Sequence, residues 1–448
     1  MSGDDRQTYT QSVFKVEREP RRERRSGGTV TEPAREIPVY DEVDVLVIGG
    51  GPAGLATALT AAASGLRVVV LDADSPQRSD RGAALLAPAH LATVDALGFQ
   101  PDGHGVDRVR FSSNDGSSSV RWPTHPDQPD NGMVVDRRRF DTALVDMATA
   151  AGADIRFRHE AVAPVVERGF VRGAQIGDEH GRRFDVRADY VVVADGANSR
   201  FGRSLGSFRD LRFPYAHAHR VSYPSALHEA TEVELVVGLR DRAGTPITGY
   251  GWMFPTGRGT VDLGVLLMST SPSFQVLNPG HVLERIIDEW CPRWQLGSEP
   301  VGPATGGRIP LGRSVGPAAG PTWLLVGDAV GAADPWSGAG IGAAITTGRI
   351  AGNVLIEAMA SGSSAALQQY PRLLADHFDA GYGVGRLADR VLGHPTVSAQ
   401  VSRSLTRSRI VGDALLRLAT DAIRPGANGP AEIAARLGRG LGIVVPGL

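Results

Sequence analysis

Cysteine is nearly missing from this chain: Cys291 is the only one in 448 residues. One thiol excludes an intramolecular disulfide, a redox-active cysteine pair and any zinc or iron–sulfur site built from cysteines. No metal site is expected. Lysine is equally rare, Lys15 being the only one, so the cations are arginines, a skew read here as coding bias. The formal net charge of −2 gives no global attraction to nucleic acid or to an anionic membrane. No apolar run reaches the ~18 residues of a spanning helix, and the N-terminus shows no signal-peptide pattern. A cytoplasmic location fits.

What the chain does have is a hydrophobic fraction of 42% and 56 glycines against only 6% aromatics, a balance that suits an α/β protein rich in tight turns. Its length suggests roughly two to three domains. Residues 1–41 read as a disordered tail: the charged run Val16 to Arg25, followed by Ser26-Gly27-Gly28, offers too little apolar surface to offset ordering. Order is expected from Val43, with a buried strand to Ile48, a helix from Ala53 to Ser64 and a second strand from Arg67 to Asp72, together a βαβ unit. Leu85 to Leu97 reads as a helix, as does Phe140 to Ala151, and Asp189 to Ala194 as a buried strand. Val109 to Trp122 alternates around Asn114-Asp115-Gly116, a hairpin signal. From 206 to 304 the pattern turns to antiparallel strands, including Val233–Val237 and Thr260–Val265; a buried strand returns at Trp323–Val326, and helices dominate from Ala339.

Three motifs carry chemistry. Gly49-Gly50-Gly51-Pro52-Ala53-Gly54 satisfies G-x-G-x-x-G directly between a strand and a helix. Gly49 permits the turn, Gly51 lets a pyrophosphate approach, Gly54 allows close helix packing, and the helix start at Pro52 and Ala53 offers free N–H groups to phosphate. Asp72 ends the second strand, where a carboxylate accepts ribose hydroxyls. Asp195 and Gly196 form a tight turn after a buried strand, at the carboxyl edge where such sheets bind ligands. Gly327 and Asp328 follow the last buried strand, and a loop marked by Pro335, Gly338 and Gly340 leads into a helix near Ile341.

As a set, these motifs resemble the flavoprotein superfamily of geranylgeranyl reductases and aromatic-hydroxylase-type monooxygenases, over about residues 43 to 355. The resemblance implies an α/β fold: a Rossmann-type FAD-binding domain in two parts (42–205 and 305–360, the 111–129 hairpin reaching toward the substrate domain), an antiparallel β-sheet substrate domain (206–304) and a helical C-terminal region (361–448). It implies extended FAD, with Asp72 on the adenosine ribose, Asp328 on the ribityl chain and Arg137 beside the cofactor; Arg138 and Arg139 compete for that last role. The pattern Gly327-Asp328-Ala329 to Gly340-Ile341 is closest to the geranylgeranyl reductase branch, and Tyr250, Trp252 and Phe254 match a segment that lines the substrate cavity there, unless they only fill the sheet's core. Trp336 and Ser337 would border the isoalloxazine.

Two positions depart from that branch. Ser79 to Leu85 lacks its usual cysteine, Arg81-Gly82 being closer to the monooxygenases, and Ala339 replaces its usual glutamate. The leading expectation is hydride transfer from flavin N5 to a C=C bond of an apolar, isoprenoid-like or polycyclic small molecule. A flavin monooxygenase and a non-redox cyclase that uses FAD as scaffold are the alternatives; a halogenase would need a lysine that this chain lacks. NAD(P)H would bind transiently, since no second fingerprint exists, and a separate redox partner is an equal source of electrons. Tyr215, His217 and His219 are proton donors by residue type only. Leu415 to Ile423 and Ile433 to Leu441 either touch a membrane surface or a partner, or pack on the body.

Overall fold

The computed structural model describes residues 39–76 and 82–420, with 422, 429, 432 and 433. The expected tail up to residue 38, Arg81 and most of 421–448 lie outside the described residues. From Val39 the chain is already a strand, four residues before the expected start.

Short apolar runs bounded by glycine turns build a parallel sheet. Its parallel strands run in the order Asp154–Phe157, Val68–Asp72, Val39–Ile48, Arg183–Val193 and Trp323–Leu325. The N-terminal half of Arg183–Val193 also pairs antiparallel with Phe170–Asp178, which pairs in turn with His159–Glu167. Helices Pro52–Ala63 and Ile341–Ser361 pack closely: a Cβ at Gly348 would come within 2.3 Å of the Ala53 carbonyl, and one at Gly352 within 2.6 Å of Thr60. That crossing brings the start of the late helix to the fingerprint, nearly 300 residues earlier in the chain.

A second seven-stranded sheet follows the order Val301–Pro310, Tyr215–Pro224, Thr260–Met268, Gly249–Pro255, Glu232–Val236, Arg108–Ser113, Gly116–Arg121. All its pairings are antiparallel except that of Glu232–Val236 with Arg108–Ser113. The hairpin at Asn114-Asp115 thus extends this second sheet. Alternation assigns the two faces. Met253, Leu263, Val265 and Leu267 pack under helix Pro279–Trp294, while Trp252, Phe254, Leu266 and Met268 face the other way, toward helices Pro395–Arg407 and Arg409–Ala419.

Leu85 to Leu97 is not one helix. Ala83–Leu86 is a strand paired with Gly132–Asp136, and the helix is Pro88–Asp95. Proline disfavours the helical region for the residue before it and suits the first helical turn, so Ala87 stays extended and Pro88 opens the helix.

Candidate functional site

A cavity of about 1130 Å³ runs from the fingerprint across the second sheet to the C-terminal helices. Pockets for one small molecule span about 300–1,000 Å³, so this one has room for a cofactor and a substrate together.

One end is shaped by glycine. Gly49 has φ +107° and a Cβ there would sit 2.2 Å from the Ala194 carbonyl oxygen; a Cβ at Gly54 would sit 2.0 Å from that of Gly49. Both are demanded by packing. Gly51 and Gly196 meet nothing within 4 Å; both line the cavity, and a ligand can lie against their backbone. Pro52 and Ala53 also line it, at the start of a helix whose first N–H groups have no intrahelical acceptor. Gly54 and Gly327 stand behind the wall, Gly327 against Ala53.

Three aspartates surround this end. Asp72 accepts the Gly50 N–H (3.1 Å) and the Asp74 N–H (2.9 Å), which ties the second strand to the fingerprint. Asp195 accepts the Phe201 N–H at 2.9 Å through Oδ2, while its buried Oδ1 has no partner among the described residues. Burial raises its pKa against the hydrogen bonds that lower it. Asp328 takes no side-chain hydrogen bond from the described residues; desolvation raises its pKa and the Arg137 charge lowers it. Of the three adjacent arginines, Arg137 alone lines the cavity, held to Asp141 through Nε (3.3 Å) and Nη2 (3.2 Å).

The loop before Ile341 carries Pro335, Trp336, Ser337, Gly338, Ala339 and Gly340 along the cavity, Ile341 following in the helix. Tyr250 Oη donates to the Ser337 carbonyl at 2.6 Å and so ties the loop to the sheet. Trp252 stacks on Phe254 (5.8 Å between ring centroids) and lies flat against Gly264, where a Cβ would come within 2.1 Å of its ring. All three aromatics line the cavity, while Trp252 and Phe254 are also core residues. Trp336 Nε1 is buried without a partner among the described residues. Beyond them the lining is mostly apolar: Val109, Phe111, Leu235, Leu266, Val401, Leu405, Leu415 and Leu416. Leu415 and Leu416 therefore face inward; Ile423 and 434–441 lie outside the described residues.

Tyr215, His217 and His219 do not line the cavity. The strand's alternation presents Ala218 and Arg220 to it instead. Four residues at or beside the wall lie outside the motifs. Arg220 donates to the Ala83 carbonyl at 2.9 Å, and its charge faces buried Asp262 at 3.8 Å. Asp262 accepts from Trp252 Nε1 (3.1 Å), Ala83 N–H (3.2 Å) and Ser222 (3.2 Å). Asp389, 3% exposed, accepts from Thr270 and leaves Oδ2 without a partner among the described residues. His90 follows Pro88 at the start of its helix. Only the Pro-x-His spacing of the last could have been noticed in advance; the others depend on strand pairing.

A phosphate-binding fingerprint, a carboxylate at the end of the second strand and a glycine-lined groove aimed at a late helix start define a flavin-dependent oxidoreductase. The unpartnered Asp195 oxygen, the open Gly51 and the free Asp328 carboxylate fit an extended dinucleotide. A family profile described as an FAD binding domain matches residues 42–223. The chain is 30% identical over 399 residues to a menaquinone reductase of Mycobacterium tuberculosis (strain ATCC 25618 / H37Rv), covering 86% of this chain and 93% of the relative. It is 32% identical over 336 residues to a digeranylgeranylglycerophospholipid reductase of Methanosphaerula palustris, covering 73% and 80%. A geranylgeranyl bacteriochlorophyll reductase-like protein of Thermoplasma acidophilum shares the fold at TM-score 0.71 and 23% identity, over 89% of this chain and 98% of that one. The chain belongs to the geranylgeranyl reductase family of FAD-dependent oxidoreductases.

Proposed function

We propose that this protein reduces a C=C bond in the isoprenoid chain of an apolar small molecule, with electrons from NAD(P)H or from a redox partner. The observation that carries the proposal is the continuity of the cavity: an apolar channel between the second sheet and the C-terminal helices opens into the glycine-lined end. Bound FAD supplies hydride from its reduced N5.

The chain's own residues do the rest. Gly49, Gly51, Pro52, Ala53 and Asp72 would hold the adenosine and pyrophosphate end, and Asp195, Gly196, Asp328 and Arg137 the middle. Pro335, Trp336, Gly338, Gly340 and Ile341 would border the ring, where the helix start favours negative charge. Tyr250 fixes that loop against the sheet. Trp252, Phe254 and the leucines of the helical roof exclude water and align the chain of the substrate, which suits hydride transfer because water competes for neither reactant there.

The test is anaerobic. The flavin is photoreduced, then mixed with a polyprenyl quinone or an unsaturated prenyl ether lipid. Reoxidation without oxygen, with a saturated bond in the product, is expected. The missing cysteine in Ser79 to Leu85 and Ala339 favour a second reading, a monooxygenase; that reading requires turnover to stop without oxygen.

A further inference from the structure

His90 belongs to none of the sequence motifs, yet three contacts fix what it can do. Its Nδ1 accepts the Ala87 N–H at 3.3 Å. A ring nitrogen that accepts carries no proton, so in the neutral imidazole the hydrogen sits on Nε2. The ring edge next to Nε2 packs on Gly342, where a Cβ would come within 2.5 Å of Cδ2. The ring also lines the cavity, and Nε2 has no partner among the described residues. Burial pushes the imidazole down to about 4, so the donor form persists at neutral pH.

Gly342 is in the first turn of Ile341–Ser361, whose opening amides have no intrahelical acceptor. An uncharged N–H and a set of free amides therefore border the same stretch of cavity, beside the loop Pro335 to Gly340. Such a set suits a ligand atom that gains negative charge, and a neutral imidazole can stabilise that charge without surrendering a proton to it.

We propose that His90 donates from Nε2 to the ring of bound FAD at the edge that becomes negative on reduction, and so raises its reduction potential. Two electrons and one proton entering the ring leave one net negative charge there, and His90 keeps its own proton throughout. The inference rests on FAD binding and not on the identity of the substrate, so a failure of the prenyl reading leaves it standing.

Dye-equilibrated redox titration of the FAD-loaded protein tests it. His90→Leu should disfavour reduction about tenfold, a potential about 30 mV lower for a two-electron couple. His90→Gln, whose amide can reach the cavity, should recover at least half of that loss. His90→Asn can still accept the Ala87 N–H but is too short to reach the ring, and should behave like the leucine variant. The Gln-against-Asn difference carries the test alone should His90→Leu fail to load flavin. A wild-type potential in all the loaded variants, or equal losses in Gln and Asn, overturns the proposal; a purely structural role would change stability and leave the potential in place.

Discussion

At Gly49 to Gly54 the cavity is shaped by what the side chains omit; on the sheet face at Tyr250 to Phe254 it is shaped by their bulk. In the first region a strand, a turn and a helix adjacent in sequence make most of the wall, and the constraints are backbone ones: the Ala194 carbonyl at the end of the neighbouring parallel strand 2.2 Å from any Cβ at Gly49, and the Gly49 carbonyl 2.0 Å from one at Gly54. In the second, Trp252 depends on Gly264 and Asp262 from the neighbouring strand, and Asp262 in turn on Arg220 and on the Ala83 amide of the strand Ala83–Leu86. The glycine wall tolerates no side chain at its packing positions, Gly49 and Gly54, but asks little of its neighbours' side chains. A wall built from long-range contacts tolerates changes in size but fails when one partner is deleted.

The sharpest way to break that contrast is Asp262→Ala. It leaves the buried Trp252 and Ala83 donors unpaired and removes the carboxylate facing the half-buried Arg220 guanidinium, a loss of about 3 kcal/mol or more. Urea denaturation should show it, with flavin retained by the molecules that stay folded. A loss under about 1 kcal/mol would mean that the cluster is not what joins the second sheet to the strand Ala83–Leu86.

Next in size is a pair within the glycine wall. Gly49→Ala meets both a positive φ and a backbone clash and should cost the apo-protein about 3 kcal/mol. Gly51→Ala should leave the apo-protein's stability within about 0.5 kcal/mol and weaken FAD binding instead, because its Cβ enters the cavity. Equal effects of the two on stability would erase the distinction between packing glycines and contact glycines.

These differences explain what could be read in the sequence. The βαβ unit and its glycines are legible because strand, turn and helix sit within about 30 residues, the size of one such motif. The Asn114-Asp115-Gly116 hairpin is legible for the same reason. Its partner is not: the parallel pairing of Arg108–Ser113 with Glu232–Val236 joins segments more than a hundred residues apart, and alternation alone does not say which strand lies beside which. Helix Pro279–Trp294, in a region expected to be strands, shows the same limit. Tyr215, His217 and His219 fit a proton donor by type, yet strand parity turns them away from the cavity. Asp262 and Asp389, as isolated carboxylates in the sequence, look like any surface residue until folding buries them.

A third measurement returns to the cofactor end. Asp328→Ala removes a carboxylate that takes no hydrogen bond from the described residues. If it accepts from the ribityl chain, FAD affinity should fall by about 2 kcal/mol, roughly 30-fold, the range for hydrogen bonds to charged groups. The apo-protein should not be destabilised, since desolvation opposes the charge there. Unchanged flavin affinity would remove Asp328 from the binding set.

The smallest effect is expected at the other end of the cavity, from Asp389. Burial pushes its pKa up to about 6, against the hydrogen bond from Thr270 and the charge of Arg390, which lower it. An acid raised on folding holds its proton more tightly in the native state, so native protein binds more protons between about pH 4 and pH 6 and stability falls as pH rises through that window. The shift sets the full cost of ionisation at no more than about 3 kcal/mol. Asp389→Asn escapes it, keeps an acceptor for Thr270, and loses part of the gain to a buried amide N–H. The variant should therefore be more stable than wild type by about 1 kcal/mol at pH 7 and lose that advantage by pH 4, as measured by urea denaturation at both. An advantage independent of pH would show that Asp389 does not titrate in the folded state, and that this wall, like the glycine wall, is set by shape and not by charge.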